Sequence, residues 1–188
     1  MCEDINIQEA LDGLQSVNAA DRDIHYFKLL AVSEKTPEKL YYAWDVLIEL
    51  LGKPEVSKKF VAIQLLGNLI KVDKESRFEN IFEDFYELLS HESPVVSPHI
   101  AGKSGKIIIA NPHLKSKILS KLLNIDKISG CRHPVLIKAY IIEALDECYA
   151  LLSDKERKDV SAFIQKQLDS ESPKTRKRAK DYFKKRSL

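Results

Sequence analysis

Apolar residues recur along this chain at three- and four-residue spacing, and the phase of that recurrence breaks and restarts at regular intervals. Leu40, Trp44, Leu47, Ile48 and Leu51 form one stripe, and Phe78, Ile81, Phe82, Phe85 and Leu89 form a second. Leu114, Ile118, Leu119 and Leu122, then Val160, Phe163, Ile164 and Leu168, form two more. Each is the pattern of a helix with one buried face. Between them the period resumes in Val56, Phe60, Ile63, Gly67 and Ile70, and in Ile137, Ile141, Leu145, Cys148 and Leu152. Prolines punctuate the alternation: Pro54, Pro94, Pro134 and Pro173 stand 40, 40 and 39 residues apart. A period of about 40 predicts helix pairs, each proline opening the second helix of its pair.

The residues before the prolines echo one another. Leu89-Ser90-His91-Glu92-Ser93 precedes Pro94, and Leu168-Asp169-Ser170-Glu171-Ser172 precedes Pro173. Serine before proline suits a helix start, since the hydroxyl accepts from an orphan backbone N–H and proline has none to leave unpaired. Thr36-Pro37 predicts another start, and Ser153 with Glu156 spells a capping box. A shorter N-terminal pair follows from laying Leu29-Leu30-Ala31 on Leu65-Leu66-Gly67 with Asn18 in the proline position, giving helices over 6–16 and 20–33. Ile107-Ile108-Ile109 continues a helical register and reads as helix. The expected fold is all-α, one domain over 1–188, in pairs spanning 5–34, 36–72, 75–111, 113–152 and 154–188.

Pro54-Glu55-Val56 and Pro173-Lys174-Thr175-Arg176 each lead into a second helix carrying small residues such as Ala62 or Ala179. These turns resemble the inter-helix turn of HEAT repeats, and the resemblance covers most of the chain. Two departures stand out: Ser57 is where that family usually has arginine, and Phe60 to Leu66 replaces its alanine-rich run. The resemblance implies a right-handed α-α superhelix, an armadillo-like solenoid of about four to five pairs, with second helices lining a concave groove. Enzymes on this architecture include DNA glycosylases that use tryptophans and an aspartate in a basic cleft. Trp44 is the single tryptophan here, and Asp45 beside it falls on a different helix face, so no catalytic residue carries over.

Composition fits a soluble stack: 188 residues at 44% hydrophobic content can bury a core distributed along the pairs. Charges interrupt every apolar run short of the roughly 18 residues a membrane helix needs. The acidic Met1-Cys2-Glu3-Asp4 start is unlike a secretory signal. Cys2, Cys131 and Cys148 form no even framework, so a reducing, cytoplasmic setting is expected. Cys148 reads as core. Cys131 and His133 are two ligand types where structural zinc wants four, and no cofactor or metal is expected.

The net charge of +2 conceals an asymmetry. Residues 1–93 hold ten basic and 18 acidic residues, whereas 94–188 hold 20 and ten. Such a field steers an anionic partner toward the C-terminal half. Within it, Pro94 to Lys106 is unusual, with Pro98, Gly102 and Gly105 inside a predicted helix, each glycine costing about 1 kcal/mol relative to alanine. As a helix it sets His99, Lys103 and Lys106 on one face, an arrangement suited to phosphate or carboxylate; the alternative is that the glycines serve helix packing and the lysines are solvated. A phosphate loop is excluded because Ser97 stands where its first glycine is required and no strand precedes it.

A basic residue also recurs four or five positions after each proline: Lys58 and Lys59, His99, Lys138, then Lys177 and Arg178. Repeated position means repeated geometry, either an ion-pair ladder between repeats or a basic strip along the groove. Lys174 to Arg186 is basic nearly all round, which suits a solvated terminal cap, a nucleic-acid contact or a nuclear import signal. The expectation is a non-enzymatic scaffold binding a protein or peptide partner with an acidic segment, through His99, Lys103, Lys106 and Lys138, with Lys58, Lys59 and Arg178 extending the strip. The alternative is a nucleic-acid binder, related to DNA repair, using the basic half.

Overall fold

The computed structural model describes residues 5–186, which hold eleven α-helices and no strand. The chain divides into two compact units, Met1–Glu75 and Ser76–Leu188. The division falls between the second and third expected helix pairs.

The first unit contains α1 (Ile7–Gly13), α2 (Ala19–Lys35), α3 (Trp44–Gly52) and α4 (Val56–Leu69). Asn6 and Asn18 start α1 and α2, their side chains accepting from the amides of Glu9 and Ala20, so Asn18 does take the role that proline has elsewhere. The helix expected from Thr36-Pro37 through Leu51 is not continuous. Thr36 caps nothing with its side chain, and the chain makes two 3-10 turns, Pro37–Lys39 and Tyr41–Ala43, before α3 begins. Their i→i+3 bonds satisfy amides that an uncapped α-helix start would leave orphaned. Trp44, Leu47, Ile63 and Leu65 are fully enclosed where α3 packs on α4. Between α2 and α4, Asn68 Nδ2 donates to Ser33 Oγ at 3.0 Å and Ser33 Oγ donates to Leu30 O at 2.7 Å. That closes a polar bridge inside the core.

The second unit contains α5 (Arg77–Asn80), α6 (Phe82–Glu87), α7 (Val96–Ala110), α8 (Lys115–Leu123), α9 (Pro134–Glu147), α10 (Asp154–Gln165) and α11 (Pro173–Arg186). The stripe over 78–89 is interrupted at Ile81, whose φ of −109° ends α5. Pro134 and Pro173 are the first residues of their helices, as expected, whereas Pro54 and Pro94 lie two residues ahead of α4 and α7. Ser172 Oγ accepts from the Thr175 amide and Ser93 Oγ from the Val95 amide, both at 3.2 Å. The Ser153/Glu156 capping box is complete. Pro98 is absorbed in the first turn of α7, where an amide has no intrahelical acceptor to lose. The long second helices pack in series, α7 on α9 and α9 on α11. Among the described residues no helix is long and apolar enough to cross a membrane.

Candidate functional site

Helix α7 presents His99, Lys103 and Lys106 on one half-buried face, as the sequence predicts. Its glycines serve helix packing. A Cβ on Gly105 would lie 2.6 Å from Ala144 O and 2.6 Å from Glu147 Oε2, and one on Gly102 would lie 3.3 Å from Tyr140 Cδ1. Both therefore face α9, and Gly105 sets the approach of the two helices.

Helix α9 contributes Tyr140, Glu143 and Glu147 to the same surface. The His99 and Tyr140 rings meet edge to face with centroids 5.5 Å apart, and Lys174 Nζ of α11 sits 3.6 Å from the Tyr140 ring centroid. Arg178 Nε pairs with Glu143 Oε1 at 2.5 Å. Burial, reinforced by the nearby Lys103 and Lys174 charges, holds the His99 ring below the ordinary histidine value, so it is neutral at pH 7 rather than a cation. Burial raises the Glu147 carboxyl, and the Lys106 and Lys103 charges oppose that rise. The face is thus mixed in charge, with anions set among its cations.

Lys138 does not join this surface. Two residues along a helix turn about 200°, which puts it on the far side of α9 from Tyr140. Its side chain, 13% exposed, pairs with Asp126 at 2.8 Å. In the first unit, Lys58 pairs with Glu55 at 3.0 Å and Lys59 Nζ donates to Leu51 O at 2.9 Å. The recurrent basic position therefore makes no single strip: Lys58, Lys59 and Lys138 close local turns, and Arg178 reaches back to the preceding second helix.

A ladder does exist in the second unit, at other positions. Lys115 Nζ donates to Glu156 Oε2, Lys121 Nζ to Glu83 Oε2, Thr175 Oγ1 to Val135 O and Lys185 Nζ to Asp146 Oδ2, across 41, 38, 40 and 39 residues of sequence. Each cross-link spans one period. The sequence signal for it was present, since acid and base recur at that offset, but the period alone does not say which offsets face each other.

A second feature lies between α10 and α11: an open cleft of about 820 Å³. Arg157, Lys158, Lys180 and Lys184 line it, with Tyr149 and Phe183 as its aromatic wall. Lys180 and Lys184 belong to the basic C-terminal stretch noted in the sequence. Arg157 and Lys158 do not, and only the fold brings them to the same cleft. The first unit has a smaller groove of about 320 Å³, with Tyr26, Phe27 and Phe60 among its walls and Lys58 at its edge.

Thiol chemistry finds little support. Burial pushes the Cys148 thiol up to about 11 and also raises Cys131, so both are protonated at neutral pH. His133 Nε2 is occupied with Glu92 O at 3.1 Å. Among the described residues no group of three or more His, Cys, Asp or Glu is placed to hold a metal; Cys2 lies outside them. Trp44 is fully buried in the first unit and lines neither the cleft nor the smaller groove.

No family model and no curated protein sequence matches this chain. Among solved structures it is similar to an engineered protein from the Northeast Structural Genomics Consortium, with 13% identity over 96% of this chain and 98% of the other, and a TM-score of 0.45.

Proposed function

We propose that this chain is a non-catalytic interaction scaffold, built of HEAT-like helix pairs, that binds an acidic segment of a protein partner. The stacked-pair reading draws support from the cross-links one period apart in the second unit and from the serial packing of α7, α9 and α11. The observation that carries the functional reading is the charge of α11, which bears eight basic residues against Asp181 alone and is packed firmly against α9. A cation array on a rigid helix selects anions without ordering cost at each encounter. On α7, Lys103 and Lys106 are half-buried with the Glu147 carboxyl close by, a face of mixed charge that disfavours a dense phosphate array.

Fluorescence anisotropy separates the protein reading from the nucleic-acid one. A labelled Glu/Leu peptide is expected to bind with an affinity that declines gently with salt, while duplex and single-stranded DNA stay unbound at physiological ionic strength. DNA binding with the steep salt dependence of counterion release, and no peptide binding, overturns the proposal.

A further inference from the structure

Among the cations of the second unit that have no carboxylate partner among the described residues, three converge on one concavity. Lys185 and Arg186 hold Asp146, Arg178 holds Glu143, and Arg176 donates to the carbonyls of Ser170 and Glu171. Lys158, Lys180 and Lys184 have no carboxylate partner among the described residues, and all three line the cleft between α10 and α11. No acidic side chain lines it among those residues. Three ammonium groups around one concavity repel one another, and an anion seated between them relieves that repulsion.

The geometry points to this cleft as the docking site for an acidic amphipathic segment of a protein partner, an inference that rests on the scaffold reading above. Lys180 and Lys184 stand one helical turn apart on α11, matching carboxylates at i and i+4 of a helical ligand. Between the cations, Phe183 and Leu168 offer apolar surface for a bulky side chain on the same ligand face. The aromatic wall argues against single-stranded nucleic acid. Of the two rings in that wall, Tyr149 already has the guanidinium of Arg157 at 4.9 Å and that of Arg186 at 3.9 Å from its centroid, which leaves Phe183 alone for a base. Base stacking requires an open aromatic face. Here the aromatic group holds cations in place instead.

The test uses the full chain and three labelled probes: a peptide with Glu at i and i+4 and Leu between them, its Glu→Gln counterpart, and an oligo-dT of similar length. Anisotropy at low and physiological salt is read for wild type, Lys180→Glu/Lys184→Glu, Lys180→Arg/Lys184→Arg and Lys103→Glu/Lys106→Glu, with circular dichroism confirming that each is folded. The acidic peptide is expected to bind wild type and the arginine variant, to weaken roughly tenfold or more in K180E/K184E, and to change little in K103E/K106E. The Gln peptide and oligo-dT should bind weakly throughout. Peptide binding that survives K180E/K184E but falls in K103E/K106E overturns the cleft and leaves the scaffold reading standing. Equal loss in both variants means diffuse attraction and also overturns the cleft. Oligo-dT binding without peptide binding, or no binding of either at low salt, overturns both readings.

Discussion

Replacing Gly105 by alanine sets two known effects against each other within one helix. Alanine in a helix interior gains about 1 kcal/mol over glycine. Against this, the new Cβ would stand 2.6 Å from Ala144 O and 3.0 Å from Glu147 Cβ. The Glu147 carboxylate, also 2.6 Å away, is the end of a flexible side chain and can swing aside. The Ala144 carbonyl is part of the α9 backbone and cannot move alone. Restoring an ordinary carbon–oxygen contact of about 3.3 Å requires α7 and α9 to separate by roughly 0.7 Å. A gap of that size forfeits a quarter to a half of the dispersion energy of the atoms lining it, so the cost belongs at about 2–3 kcal/mol, the upper end for overpacking. The net effect is a loss of about 1–2 kcal/mol, or roughly 2–8 °C in melting temperature for a chain of this size. Gly102→Ala is the internal control. Its Cβ meets only Tyr140 Cδ1 at 3.3 Å, which a small ring rotation relieves, so the propensity gain prevails and the variant is unchanged or more stable. The single tryptophan lies in the first unit, so its fluorescence reports the wrong part of the chain. Far-UV circular dichroism with amide exchange in α9 is the suitable pair of probes. Equal stability of the two variants would refute the claim that Gly105 sets the helix approach.

Three further outcomes follow from local chemistry. Ser153→Ala removes the hydroxyl that accepts from the Glu156 amide, while the amide of residue 153 still donates to the Glu156 carboxylate; it should cost about 1 kcal/mol, seen as faster amide exchange in the first turn of α10. Burial works against ionising Asp146, but the hydrogen bonds and charges of Arg186 and Lys185 outweigh it and hold its carboxyl below the ordinary value of 3.8. Its contribution is therefore fully present above that value and lost as pH falls through the depressed one, so Asp146→Asn should flatten the acid limb of a stability–pH curve. For His99 the folded pKa also lies below its ordinary 6.5, so the unfolded chain takes up the proton first and stability declines as pH falls below that point; His99→Gln should remove that slope in urea melts taken across it.

The local features of the fold were legible because their causes are local. Ser153, Ser172, Asn18, Pro134 and Pro173 each act within one turn of their own helix, and each does in the structure what its position predicts. The stripes of the first helices were legible as burial but not as continuous helix. Breaks at Ile81 and over residues 37–43 leave the same side chains inside, and period alone does not distinguish the two. The basic positions after the prolines were recognised as recurrent, yet their partners differ. Asp126 captures Lys138 from a turn of its own pair, while Glu143 takes Arg178 from one period away. Such choices depend on which helix faces meet, as does the joining of Arg157 and Lys158 to Lys180 and Lys184. Likewise, Gly102 and Gly105 were visible as anomalies in a helix, but only the position of α9 shows that they are occupied by packing.

The basic terminal helix posed a choice in the sequence between a solvated cap and a binding element, and the two roles belong to different faces of α11. Thr175, Ala179 and Tyr182 are buried, and around them Arg178, Lys185 and Arg186 tie the helix to Glu143 and Asp146 of α9. That face fastens α11 to α9. Lys180 and Lys184 point into the cleft with α10, where no carboxylate answers them among the described residues. If solvation of α11 were the only requirement, paired and unpaired lysines would serve equally, and nothing would be gained by gathering Lys158, Lys180 and Lys184 in one cleft. Concentrating like charges in a concavity costs self-repulsion, whereas an evenly spread cap avoids it. The proposed anionic partner accounts for a helix that gathers Lys180 and Lys184 in a concavity while Arg178, Lys185 and Arg186 are paired on another face, an arrangement that solubility alone does not require.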